Sequence, residues 1–278
     1  MTWTAVPEED RPVSPGLGWR PRMLALDVDG TLLADGERGV SARVRAALDQ
    51  ARSAGAQVVL TTGRALCSTL PVADALGLDH GYLVCSNGAL VYELGSSRLV
   101  LAEEFDPGPP GMRLSSCVPD AQFAVERGTD GFVTTEGFAQ DFPAVYLGSA
   151  PVEELLSEPT VRMVVRSPGA DRSVLTRAGM RVLGDRYGWA AGHSCWLDVM
   201  SAGVSKASGA QRVADLLGID RSEVFAAGDG FNDVELLDWA AWGVAMGQAP
   251  PEVRQRADAV TDTVAQDGVA TALRVWFD

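Results

Sequence analysis

Residues 23–32 read Met23-Leu24-Ala25-Leu26-Asp27-Val28-Asp29-Gly30-Thr31-Leu32. Four apolar residues closed by an acid suit a strand covered on both faces, as strands in parallel sheets are. Open α/β sheets bind ligands beyond the carboxyl ends of their strands, and Asp27 stands at such an end. Asp29 follows two residues later, so both carboxylates face one side if the strand geometry persists. Gly30 frees the backbone to turn and present N–H groups to an anion. An ordinary polar turn is the plainer reading of Asp-Gly, but it fits two acids at this spacing less well.

The surroundings extend the pattern. Ser41 is a candidate helix N-cap, Val44, Leu48 and Ala51 fall at helical spacing, and Gly55 can end the helix. Residues 58–61 and Tyr82–Cys85 read as second and third strands. This alternation predicts an α/β fold, a doubly wound parallel sheet. It breaks after Gly88. Hairpin-like pieces follow at 90–92 and Arg98–Ala102, then the cluster Asp106-Pro107-Gly108-Pro109-Pro110-Gly111, then another strand at 161–166. The expectation is an inserted α+β domain over 89–193, a core from 22–88 and 194–278, and a flexible tail over 1–21. The parallel pattern resumes near Trp196. A helix is expected over Lys206–Leu217, closed by Gly218. A strand at 224–227, a helix at 234–241 and a strand at 243–246 follow. Pro250-Pro251 opens a helix at its first turn, and 258–261 and 268–276 complete the core.

Three further motifs stand at loop positions. Thr61-Thr62-Gly63-Arg64 ends the second strand; a hydroxyl there can donate to a phosphate oxygen, although Thr-Gly also suits a plain turn. Gly203-Val204-Ser205-Lys206 enters a helix, where the dipole opposes a lysine. An anion or an acidic cluster would compensate it; solvent is the alternative. Gly228-Asp229-Gly230-Phe231-Asn232-Asp233 again places acids beyond an apolar strand, with Asp229 and Asp233 able to face one pocket, or else forms a loop with an Asx cap. If Asp27, Asp29 and Asp229 converge, each pair about 4 Å apart repels by about 4 kcal/mol at an effective dielectric near 20. Three such pairs approach the whole stability of a domain, about 5–15 kcal/mol. A divalent cation or a proton must relieve this, and oxygen ligands select a hard ion such as Mg²⁺.

The order DxDGTL, TTGR, GVSK, GDGFND resembles the haloacid dehalogenase (HAD) superfamily. Ser86-Asn87-Gly88-Ala89 before the insertion and Asp267-Gly268-Val269-Ala270 near the end are similar to its Cof-type branch with a C2 cap. The resemblance spans roughly residues 22–278 and implies a Rossmannoid core. It implies Asp27 as the nucleophile that forms an aspartyl-phosphate, and Asp29 as general acid/base whose main-chain carbonyl also ligates Mg²⁺. Thr62 and Lys206 would hold phosphoryl oxygens, with Gly30 and Asn232 in the same phosphate site. Asp229 would ligate Mg²⁺ directly, Asp233 through water, and Asn87 and Arg64 would lie on the substrate side. Ala207 departs from the glycine common after the lysine, at a position tolerant of alanine. A carboxylate with a reference pKa of about 3.9 is ionised at neutral pH, so Asp27 would need no separate base.

The expected function is therefore a Mg²⁺-dependent phosphatase of a small phosphorylated metabolite, with sugar phosphates foremost. A phosphomutase on hexose phosphates and a non-catalytic binding module are the alternatives. Composition narrows the rest. The chain has 278 residues, 46% of them hydrophobic, enough for a self-supporting core. A net charge of −14 argues against a nucleic-acid or anionic membrane partner. The N-terminal stretch has no apolar signal segment and no run suits a membrane span. Cys67, Cys85, Cys117 and Cys195 form no CxxC pair, as expected of reduced thiols in a cytoplasmic protein. His80 and His193 lack partners at metal spacing, Gly228-x-Gly230 lacks the third glycine of a dinucleotide fingerprint, and Trp189, Trp196, Trp239 and Trp242 read as packing residues. Oligomeric state is not legible.

Overall fold

The computed structural model describes residues 15–16, 18–34, 39–140, 144–169, 172–191 and 196–277. Most of the expected tail (1–14 and 17), His193 and Cys195 lie outside the described residues. The chain builds one sheet, crosses to a second and returns. Strands β1 (Met23–Leu26), β2 (Gln57–Thr61), β3 (Tyr82–Cys85), β4 (Leu90–Glu93) and β5 (Arg98–Ala102) come first. The second sheet takes β6 (Gln122–Arg127), β7 (Gly131–Thr134), β8 (Tyr146–Ser149), β9 (Met163–Arg166), β10 (Gly188–Ala191) and β11 (Trp196–Met200). Then β12 (Val224–Gly228), β13 (Trp242–Ala245) and β14 (Ala259–Val260) rejoin the first.

The first sheet has the order β14-β13-β12-β1-β2-β3-β4-β5. Its strands from β14 to β3 are parallel, and β4 and β5 add an antiparallel hairpin. Alternation within β1 explains its unbroken apolar run: Leu24 and Leu26 face one buried cluster, Met23 and Ala25 another. The helices Ala42–Ser53 and Gly268–Phe277 cover the first face through Val44, Leu48, Val269 and Leu273. Lys206–Leu217 and Val234–Trp239 cover the second through Ala210, Val213, Leu236 and Leu237. Ser41 caps its helix, accepting from the Val44 amide (3.1 Å), and Gly218 ends its own at φ 61°.

The second sheet has the order β10-β11-β9-β6-β7-β8. Phe123, Val125, Met163, Val165, Leu197 and Val199 face the helices Gly108–Cys117 and Arg172–Val182. Ala124, Phe132 and Val164 face the other way and pack with Ala65, beside the TTGR motif. The inserted sheet therefore lies over the carboxyl-end loops of the first.

The structure corrects several expectations. Residues 90–102 extend the core sheet, and Trp196–Met200 belongs to the inserted one, so neither segment lies on the side of 89 or 194 that the pattern suggested. Both pair antiparallel to a neighbour, and periodicity cannot tell which sheet such a strand joins. The cluster at 106–111 runs into the helix Gly108–Cys117, whose first turn tolerates proline because its N–H groups have no intrahelical partner. Within the expected tail, Trp19 is docked: it donates to the Ser222 carbonyl (2.8 Å) and meets Trp276 edge-on at 5.0 Å. No helix among the described residues is long and apolar enough to cross a membrane.

Candidate active site

Asp27 follows β1, Asp229 and Asp233 follow β12, and Lys206 opens a helix that packs on β3. The parallel pairing of β1 with β12 brings the first and last motifs side by side. Lys206 Nζ donates to Oδ1 of Asp27 and to Oδ1 of Asp233, both at 2.5 Å. Lys206 is 1% exposed, so the two acids supply the compensation its helix position demands. Asp233 Oδ2 accepts from the amides of Asp229 (3.0 Å) and Gly230 (2.8 Å), which folds the loop back on itself. Thr31 donates to Asp27 Oδ2 (3.2 Å).

Asp27, Asp229 and Asp233 each bring a carboxylate oxygen within 4.8 Å of the others. Asp29 is not in this group. Arg64 takes both its oxygens, Nε to Oδ2 at 2.8 Å and Nη2 to Oδ1 at 2.5 Å. The expected convergence of Asp27, Asp29 and Asp229 is corrected accordingly: a bidentate guanidinium holds Asp29 aside, and Asp233 is the third acid.

Were all three carboxylates ionised, one ammonium would leave two negative charges at this centre. Burial, then Asp233, push the Asp27 carboxyl well above the usual carboxylate range, and Lys206 does not overcome them. Burial opposes the Lys206 ammonium, yet Asp233 and Asp27 hold its pKa above the ordinary lysine value. Asp27 is thus not free to ionise on its reference value alone, as the sequence suggested. An all-oxygen donor set of three carboxylates beside a single ammonium fits a hard divalent cation.

A cleft of about 1350 Å³ opens on this centre. Asp27, Asp29, Gly30, Arg64, Asn87, Lys206, Asp229 and Asn232 line it from the core, and Trp189, Trp196 and Asp198 from the inserted sheet, with Tyr187 just before it. Thr62 and Asp233 are fully buried behind it, and the Thr62 hydroxyl accepts from the Arg64 amide (3.1 Å). Trp189 and Trp196 therefore wall the cleft as well as pack. Ser86 and Asn87 both adopt positive φ, 52° and 56°, strained for non-glycine residues and held by the amide bonds Ser86 to Arg64 (2.8 Å) and Asn87 to Thr62 (3.0 Å). Asn232 donates to Asn87 Oδ1 (3.0 Å), joining the loop after β3 to the loop after β12. His80 is an exposed loop residue beside Asp79.

The sequence reading missed four contributors. Gln248 donates to the Gly30 carbonyl (2.5 Å) and to Asp229 (3.2 Å). Glu126, Arg162 and Asp198 form a buried charged cluster in the inserted sheet. No motif marks any of these; only an acid or base at an inward position of an otherwise apolar strand hinted at Glu126 and Asp198.

A model of the haloacid dehalogenase-like hydrolases matches residues 24–108 and 171–273. The chain belongs to that family. Within it, the hydrolase is similar to 5-amino-6-(5-phospho-D-ribitylamino)uracil phosphatase YcsE of Bacillus subtilis, 28% identical over 267 residues, 92% of this chain and 95% of the relative. It is similar to pyridoxal phosphate phosphatase YbhA of Escherichia coli, 29% identical over 272 residues, 88% and 96% of the two chains. The solved structure of the HAD subclass IIB sugar phosphatase BT4131 superposes with a TM-score of 0.79 at 21% identity, over 91% of this chain and 98% of that one. The HAD core with its Cof-type cap is the fold of this chain, and the enzyme is a phosphatase.

Proposed function

We propose that this phosphatase is Mg²⁺-dependent and hydrolyses a small phosphorylated metabolite, most readily a sugar phosphate, through a phosphoryl group carried on Asp27. The observation that carries this reading is the buried Lys206, bonded at 2.5 Å to both Asp27 and Asp233 beside Asp229. Asp27 and Asp229 would hold Mg²⁺, with the Asp29 main-chain carbonyl, and Asp233 through water while it orders the loop. When bound, the cation neutralises charge on the acids and on the phosphate, favouring ionised Asp27.

Asp27 attacks the phosphorus, and the bond from phosphorus to the ester oxygen breaks. Asp29 gives that leaving oxygen a proton. It then takes one from a water that attacks the phosphorylated Asp27, and cleavage of the phosphorus–Asp27 bond frees inorganic phosphate. Lys206, Thr62, Asn232 and the Gly30 backbone position the phosphoryl oxygens. Asp29 must leave Arg64 to act, so the incoming phosphate draws Arg64 toward itself as Asp29 is released. Asn87 faces the leaving group. The acids and aromatic rings of the inserted wall suit the hydroxyls and C–H faces of a sugar. The sugar phosphatase activity in the name of one fold neighbour adds to that choice.

The test is release of inorganic phosphate from sugar phosphates, nucleotides and cofactor phosphates, with Mg²⁺ and with EDTA. Asp27→Asn is expected to abolish Mg²⁺-dependent release; undiminished turnover in that variant refutes the mechanism.

A further inference from the structure

Three charged side chains of the inserted sheet lie buried where it meets the core: Glu126 at 1% exposure, Arg162 at 5% and Asp198 at 9%. Arg162 Nε donates to Glu126 Oε2 (2.9 Å), its Nη1 lies 3.9 Å from Asp198, and its guanidinium sits over the Phe132 ring at 5.1 Å. Its Nη1 also donates across to the Gly63 carbonyl of the core. The other Glu126 oxygen accepts from Ser86 Oγ (2.7 Å). Burial raises the Glu126 and Asp198 carboxyls, with Arg162 opposing in both. Buried charges of this kind are costly unless paired and contribute little net stability. Geometry at the two loops they touch is the more telling property. Gly63 stands between Thr62 and Arg64, and Asn87 is bonded to Asn232 in the Asp229 loop.

We infer that Arg162 is a positioning residue that clamps the inserted sheet onto the 62–64 and 86–87 loops and so sets the phosphate site of the core. This rests on the reading that the 62–64 and 86–87 loops border the reacting phosphate ester. Arg162 does not touch the phosphoryl group; it acts through Gly63 directly, and through Glu126 and Ser86 on the adjacent Asn87. A planar fork that reaches a carboxylate and a carbonyl at once is a task a lysine cannot copy. Misplacing such loops slightly costs turnover more than affinity.

The full chain with saturating Mg²⁺ is assayed on acetyl phosphate, whose two-carbon leaving group is too small to use the inserted wall, and on a hexose 6-phosphate. Arg162→Met is expected to lower kcat by about 10- to 100-fold on both, with KM within about threefold. Arg162→Lys should recover only part of it. A residue that serves only the cap's stability or the leaving group would spare acetyl phosphate once the variant is folded by circular dichroism; that result overturns the inference. Should Arg162→Met not fold, Ser86→Ala removes only the hydroxyl that reaches Glu126, and unchanged kcat on both substrates overturns it equally. Absence of phosphate release by the unmodified protein would instead refute the underlying phosphatase mechanism.

Discussion

Gly30 and Asp229 are in contact: a Cβ built on Gly30 would lie 2.1 Å from Asp229 Oδ2. Gly30 also has φ +80°, a conformation that costs an L side chain about 1–2 kcal/mol. The first acidic loop thus approaches the last more closely than any other residue type allows. Gly30→Ala is expected to displace the Asp229 carboxylate, lowering Mg²⁺ affinity in titration calorimetry and kcat/KM by about tenfold or more. Mg²⁺ affinity equal to wild type would mean that the contact is incidental.

The core was legible because its strands are buried on both faces and end in chemistry. Each of β1, β2 and β12 runs apolar into Asp27, Thr62 or Asp229, and chain order alone then places the loops together. The inserted sheet was less legible. Its charged cluster is assembled from residues 126, 162 and 198, which no local period connects, and its Gly108–Cys117 helix begins with residues that usually break helices. The exchange of Asp29 for Asp233 in the acid group was hidden for a similar reason. It depends on where Arg64 reaches, and residue spacing does not encode that.

Lys206 links two buried acids, and removing one member of such a pair leaves charges without a partner. Lys206→Met is expected to lower unfolding stability in EDTA by about 3–5 kcal/mol. Mg²⁺ should restore part of this, since a cation takes over neutralisation of Asp27. Urea denaturation with and without Mg²⁺ measures both quantities. A variant as stable as wild type in EDTA would show that the acids are protonated at rest and need no ammonium.

Cys85 is fully buried and its thiol is pushed up to about 12, chiefly by burial. The native thiol therefore keeps its proton where the unfolded one, near 9, has lost it. The contribution is fully present below pH 9 and is lost as pH rises toward 12, at up to about 1.4 kcal/mol per pH unit. Cys85→Ala should flatten that part of the stability profile. With iodoacetamide at pH 8.5, peptide mapping should find the half-buried Cys67 and Cys117 alkylated well before Cys85. Rapid labelling of Cys85 in the folded protein would contradict its enclosure beneath the active-site loop.

Asp229 separates the cost of the acid group from its use. In EDTA its charge adds to the repulsion that pushes Asp27 up, so Asp229→Asn should melt slightly higher than wild type. With Mg²⁺ the order should reverse. A cation that binds only the folded form stabilises by about 2.7 kcal/mol at a hundred times its Kd, several degrees in a chain of this size. Wild type should gain that shift, and Asp229→Asn should lose most of it along with turnover, because one of the two acids proposed to hold the ion is gone. The crossing of the two melting curves with metal is the diagnostic. If both proteins shift equally with Mg²⁺, the ion binds elsewhere and the acid group needs another account.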